Sequence, residues 1–221
     1  MSRIARSVSE RGEVVLRRRE HDDALELRVN GVFVMDNVET SSERALARGA
    51  LDALEPSRSE LTVLVGGLGL GFTVAELLAE PRVAHIVVAE IEPALVGWHE
   101  DGLVPDTADV LRDARTSVQI DDVRRVVASQ PPASLDLLLL DVDNGPGYLV
   151  YDDNAAVYRS AFLQKCRART RSGGVVVIWS SAESPDLAAA MREVFGSCDE
   201  VALPVRLGSR DTTYHLLIGR A

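Results

Sequence analysis

The segment VLVGGLGLGFTVAELL constrains this chain more than any other part of it. A compact apolar run, LTVLVGG, leads into Gly67, Gly69 and Gly71, and a helical pattern follows at once with Val74, Leu77 and Leu78 on one stripe. Glycine lets a ligand approach the backbone closely, and Gly66 widens the entrance further. A G-x-G-x-G turn between strand and helix suits an adenosine ligand lying across the carboxyl edge of a parallel sheet. The dinucleotide pattern G-x-G-x-x-G is not met, because counting from Gly67 the sixth position is Phe72. No G-x-x-x-x-G-K-[ST] run is present in this segment either, so phosphate-cradling chemistry is a poor reading.

Around this turn the chain alternates between strand and helix texture. HIVVAEIEP reads as a strand and loop, SVQIDDVRRVVAS as a strand passing into a helix, and SLDLLLLDVDNGP as a buried strand. YDDNAAVYRSAFLQKCRARTRSGG reads as a helix with Tyr158, Phe162 and Cys166 on one stripe and a Gly-Gly stop. VVVIWSS is the next strand and ESPDLAAAMREVFGS a helix, and VALPVRL and TTYHLLIGR form a terminal antiparallel pair. Ahead of the first unit lie a polar leader, a hairpin in LELRVNGVFVMD turning at Asn30-Gly31, and a helix in VETSSERALARGALDALEP ending before Pro56. The expectation is one α/β domain, three-layer and doubly wound. Its sheet is mostly parallel with an antiparallel C-terminal strand, and a small N-terminal β-hairpin extension precedes it. Residues 1–55 are the extension and 56–221 the nucleoside-binding domain, since so short an extension is near the lower size limit for an independent core.

Charge and cysteine content narrow the function classes. With 24 Lys and Arg against 34 Asp and Glu in 221 residues, the net charge of −10 argues against a general nucleic-acid backbone binder. Lys165 is the only lysine, and the cluster Arg17, Arg18 and Arg19 reads as a solvated strand or loop. Cys166 and Cys198 cannot build a four-thiolate metal centre within one chain, and no metal site is expected. The first twenty residues carry charges throughout and no apolar block, so a cytoplasmic chain without membrane contact is expected.

Several acids stand where strands end. Glu90 lies 19 residues after Gly71, where a carboxylate accepts both vicinal ribose hydroxyls, with Glu92 as a second candidate. Asp121 and Asp122 precede VRRVVAS, either as adenine contacts or as a helix cap. Asp141 follows the most apolar strand and so enters the carboxyl-edge cleft, with Asp143 and Asn144 in the turn behind it, where Asx hydrogen bonds to the backbone are the alternative.

Taken together, LRVNGVFVMDNVETSSE, VLVGGLGLG, VVVAEIEP, VQIDDVRRVV, LLLLDVDNGPG and GGVVVIWSS resemble the class I fold that binds S-adenosylmethionine, and more narrowly the spermidine-synthase-like family, over residues 25 to about 180. The resemblance implies that Gly67, Gly69 and Gly71 surround the nucleoside and amino-acid portion, that Glu90 holds the ribose, and that Asp122 or its neighbour Asp121 lies near the adenine amino group. It also implies that Asp141, with Asp143, belongs to an acidic catalytic loop that holds an acceptor amine and helps remove its proton. The ligand is then S-adenosylmethionine or its decarboxylated form, the partner a small-molecule amine or other small nucleophile, and the assembly a homodimer. The chain departs from the family in two places. Asn144 stands where the second loop acid is expected, and an amide positions an amine without serving as its base. ERALARGAL replaces a Tyr-His-Glu arrangement, so Asn144, Tyr148, Tyr151 and Trp179 are the available acceptor contacts, Trp179 also being a packing residue. The leading expectation is a transferase moving an aminopropyl group to an amine. Methyl transfer and a noncatalytic adenosyl-ligand or polyamine-binding protein are the alternatives.

Overall fold

A computed structural model describes residues 2–147, 149, 152–207 and 210–221 of the chain, and Tyr148 and Tyr151 lie outside the described residues. The central sheet has seven strands: β5 (Leu61–Gly66), β6 (Val83–Glu90), β7 (Thr116–Ile120), β8 (Leu135–Leu140), β9 (Thr170–Ser180), β10 (Asp199–Leu207) and β11 (Arg210–Arg220). Their order is β10-β11-β9-β8-β5-β6-β7. Strands β5 to β9 are parallel, and β11 runs antiparallel to both β9 and β10. LTVLVG and LDLLLL fill the middle because a strand covered on both faces needs apolar side chains on both.

Helices cover both faces, as expected of three layers. Helix α1 (Ser41–Asp52) contributes Leu46, Ala47 and Ala50, and α2 (Phe72–Leu78) contributes Val74 and Leu77, to one apolar core with Val63, Leu139 and Val177 of the sheet. On the other face α4 (Val123–Ser129), α5 (Ser160–Arg169) and α6 (Pro185–Phe195) pack Val127, Leu163 and Met191 against Leu138 and Val176. Thus α1, although N-terminal in sequence, shares its core with the main sheet.

Three expectations are corrected. The polar leader is structured: β1 (Ser2–Ser9) and β2 (Gly12–Arg18) join β3 (Leu25–Val29) and β4 (Val32–Asp36) in a four-stranded antiparallel sheet. Its charges are compatible with strands because only one face is covered: Val14 and Leu16 are buried with Leu25 and Leu27, while Arg17 pairs with Glu26 and Arg18 with Asp23. The segment after Glu90 contains a helix, α3 (Pro93–Glu100), which begins on a proline that has no N–H to lose there. Finally, the helix expected from residue 151 is shorter. A 3₁₀ turn (Asp152–Tyr158) precedes α5, and Gly173 and Gly174 lie inside β9 rather than stopping a helix. A Cβ on Gly174 would press on Thr170 and on the Asp136 carbonyl at 2.6–2.8 Å, which explains the glycine in a strand interior. The Tyr158, Phe162 and Cys166 stripe is nevertheless buried as the spacing required.

Among the described residues no helix is long and apolar enough to cross a membrane.

Candidate functional site

The order in which strands are added reverses at the parallel pair β5 and β8, with β6 and β7 on one side and β9 on the other, so the carboxyl ends of β5 and β8 form the topological switch point of the sheet. The Asp141 N–H donates to the Gly66 carbonyl at 2.8 Å, so the end of β8 is tied to the start of the glycine turn. Gly67 has φ +95°, and a Cβ there would run into the Asp141 carbonyl, so only glycine lets the two loops come together. Gly69, with φ +52°, passes beneath Met35, where a Cβ would meet the thioether sulfur at 2.7 Å. That sulfur also accepts the Leu70 N–H at 3.2 Å, closing the N-terminal sheet onto the turn. Gly71 behaves differently. It is the left-handed residue that starts α2, and its Cβ position faces Thr107 and His99 rather than the crevice.

Behind the turn, His99 is buried and its Nε2 lies 3.0 Å from the Gly69 carbonyl, so Nε2 carries the proton. Burial lowers its pKa, which keeps the ring neutral. Thr107 donates to the Leu70 carbonyl at 2.6 Å. These two side chains hold the glycine turn from its rear and leave its front open.

The front opens on two adjoining cavities. The first runs beneath Leu27, Val29 and Val34 of the N-terminal sheet and is floored by Gly67, Gly69 and Glu90. Glu90 faces the turn: its Oε2 accepts the Leu68 N–H at 2.8 Å and its Oε1 the Glu92 N–H at 2.7 Å. Each oxygen keeps a further lone pair for a ligand diol. Burial raises its pKa, while backbone N–H groups of Glu92, Leu68 and Ile91 favour the ionised form. Glu92 is buried, and its Oε1 accepts from Arg11 Nε at 2.7 Å.

Asp121 and Asp122 both line this cavity. Asp122 is the buried one and also caps α4, accepting the Arg124 N–H at 2.8 Å. Desolvation works against its charge, yet the Arg124 guanidinium prevails and its pKa is lowered. Asp121 is held by Arg125, which lowers its pKa as well.

The second cavity adjoins the first through Val34, Gly69, Asp141 and Asp143, which line both. Asp143 adopts φ +58°, a left-handed conformation that is uncommon outside glycine and is found at functional turns. Asn144 lines the second cavity too, with its amide nitrogen 3.5 Å from the Phe33 carbonyl. Trp179 and Tyr214 form an aromatic wall, ring centroids 4.8 Å apart. Asp141 is half-buried and accepts from Thr73 Oγ1 at 3.1 Å, and burial raises its pKa to about 6.

Sequence reading missed three carboxylates here: Asp36, Glu39 and Glu43 line the same cavity. Glu43 is the informative one. It is buried on α1, accepts from Ser42 Oγ at 2.8 Å, and its pKa is raised to about 7, first by burial and then by the charge of Asp141. The signal was present in the spacing. Glu43, Leu46, Ala47 and Ala50 follow i, i+3, i+4, i+7, so an acid stands on the apolar stripe of its helix.

No protein-family model matches the chain. Among curated relatives, the polyamine aminopropyltransferase of Mycobacterium tuberculosis (strain CDC 1551 / Oshkosh) is 29% identical over 119 residues, which is 53% of this chain and 22% of the relative. That of Pseudomonas syringae pv. tomato is 28% identical over 117 residues, 52% of this chain and 38% of the relative. The chain thus matches well under half the length of these relatives. Among solved structures, a spermidine synthase in complex with the transition-state analogue AdoDATO superposes with a TM-score of 0.82 at 15% identity, over 99% of this chain and 73% of that one. The spermidine synthase from Thermotoga maritima gives 0.81 at 14% identity, over 99% and 72%. The chain is therefore spermidine-synthase-like in fold, and in sequence it is similar to polyamine aminopropyltransferases.

Proposed function

We propose that the chain transfers an aminopropyl group from decarboxylated S-adenosylmethionine to a small amine. The observation that carries this reading is the charge of the second cavity. Its lining includes Asp36, Glu39, Glu43, Asp141 and Asp143, and among the described residues lining either cavity there is no arginine, lysine or histidine. Such a compartment attracts cations and repels anions. A sulfonium nucleoside that retained its carboxylate would bring a negative charge toward these acids. Losing the carboxylate leaves an ammonium tail, which they favour, and an acceptor amine arrives as a cation as well.

In this reading the first cavity takes the nucleoside, with the Glu90 carboxylate on the ribose diol and the Asp122 region toward the base. The bound sulfonium supplies the electrophilic carbon, so the protein's task is alignment of nitrogen, carbon and sulfur. Asp141 and Asp143 line both cavities, the position from which an acid can reach donor and acceptor together. The similarity to polyamine aminopropyltransferases supports the same assignment.

Mass-spectrometric product analysis tests it. The chain is incubated with S-adenosylmethionine or its decarboxylated form, each against a panel of diamines, polyamines and small nucleophiles. An aminopropyl mass gain, seen only with the decarboxylated donor, is the expected outcome. A methyl gain, or tight donor binding with no product from any acceptor, would replace this reading with methyl transfer or with a noncatalytic binding protein.

A further inference from the structure

We propose that Glu43, on α1, takes the proton from the attacking amine while Asp141, at the end of β8, holds the acceptor's positive charge. This deepens the aminopropyl-transfer reading and rests on it.

The two carboxyls come from elements nearly 100 residues apart and line one compartment. Thr73 of α2 ties the Asp141 carboxyl to the backbone of α1: its hydroxyl lies 3.1 Å from Asp141 Oδ2 and 3.3 Å from the Glu43 backbone carbonyl. A buried acid on an apolar helix stripe is costly unless something offsets it, and the Glu43 carboxyl accepts hydrogen bonds from its own backbone N–H and from Ser42 Oγ without any cation beside it in the cavity lining. The ionisable groups that share its compartment are Glu39 from the segment before α1, Asp36 from β4, Asp141 and Asp143 from the loop after β8 and Tyr214 from β11, all acids. Two neighbouring carboxyls do not ionise independently, so one retains a proton to higher pH. Glu43 is that member: its pKa of about 7 lies above the value of about 6 at Asp141, and the Asp141 charge is one of the causes. An acid poised near neutrality is matched to accepting an amine proton and returning it to solvent. Asn144, where the loop lacks an acid, cannot do this.

The step balances as follows. The acceptor enters as an ammonium and gives one proton to the Glu43 carboxylate. The freed nitrogen lone pair attacks the methylene carbon bonded to sulfonium. The N–C bond forms as the C–S bond breaks, its electron pair staying on sulfur to leave a neutral thioether nucleoside. The product departs as a secondary ammonium, and Glu43 releases its proton to water.

The test combines kinetics with titration. The pH profiles of kcat and KM are measured for the wild type, Glu43→Gln and Glu43→Asp with decarboxylated S-adenosylmethionine and a diamine, alongside donor affinity by calorimetry. Glu43→Gln should lower kcat about 100-fold or more, abolish the near-neutral limb of the profile and weaken donor binding far less than it lowers kcat. Glu43→Asp should recover part of the rate. A Glu43→Gln enzyme with wild-type kcat and profile overturns the proposal while leaving aminopropyl transfer intact. A wild type that forms no aminopropyl product with any amine overturns both. Should Glu43→Gln fail to fold, carboxyl ¹³C NMR titration of the wild type and of Asp141→Asn decides. A Glu43 midpoint well above the ordinary range that falls in Asp141→Asn supports the pair, and an ordinary midpoint that does not move refutes it.

Discussion

Glu90 does two jobs at once at the residue scale. Its carboxylate accepts the N–H groups of Leu68 and Glu92, fixing the glycine turn against the end of β6, and it presents the remaining lone pairs to the first cavity. If Glu90 holds the ribose diol as proposed, Glu90→Ala removes that acceptor and frees the turn, so adenosyl-ligand affinity should fall by roughly 10- to 100-fold, the equivalent of one or two charge-assisted hydrogen bonds. Calorimetry on a variant with a native circular-dichroism spectrum checks this, and unchanged affinity would remove Glu90 from the ribose. Spacing from the glycine turn was enough to single out this residue, because a parallel strand pair places both carboxyl ends at the same sheet edge. Gly71 shows the limit of the same reasoning. Its place in the G-x-G-x-G run suggested a ligand contact, yet its neighbours are Thr107 and His99, two side chains that reach it from a segment more than 25 residues away.

At the scale of elements, the turn between β1 and β2 reaches the loop after β6 whose Ile91 and Glu92 line the first cavity. Arg11, in that turn, donates from Nε to the Glu92 carboxylate at 2.7 Å and from its terminal nitrogen to the Ile91 carbonyl at 2.8 Å. The hairpin is thereby fastened to the loop that follows Glu90. Arg11→Ala should weaken donor binding by about 3- to 10-fold and leave kcat within about twofold, since a partly exposed ion pair contributes little more than ~1 kcal/mol. Comparing donor Kd with kcat separates this from damage to the chemistry, and an unchanged Kd would show that the fastening does not matter for the pocket. The hairpin was not legible in the sequence. SRIARSVS and GEVVLRR carry five charged residues in fifteen with no strict apolar–polar alternation, and only the burial of Val14 and Leu16 against Leu25 and Leu27 identifies the covered face. By contrast β5 and β8 could be read directly, because LTVLVG is apolar on both faces, too short for a buried helix and followed at once by a glycine turn.

For the whole molecule, the site acids set how stability varies with pH. Glu43 and Asp141 have folded pKa values of about 7 and about 6, and that of Glu90 is raised as well, all above their unfolded values. A carboxyl whose folded pKa is raised binds protons more readily when folded. Its contribution is fully present below the unfolded pKa and is lost as pH rises through the folded one, here between about pH 4 and about 7. Unfolding free energy should therefore fall by on the order of 2 kcal/mol from pH 5 to pH 8, and by less in Glu43→Gln. Urea denaturation at the two pH values measures this, and a flat or rising profile would contradict it. The sequence by itself determined the α/β layering, the glycine turn and the acids at the ends of β6 and β8, because strand texture and local spacing are properties of neighbouring residues. Only the tertiary structure decided that a helix and a strand from the first 55 residues complete the acid-lined compartment. Glu43, Asp36 and Asp141 are brought together by the packing of α1 and β4 against the crevice, and no local pattern encodes a contact between segments so far apart in the chain.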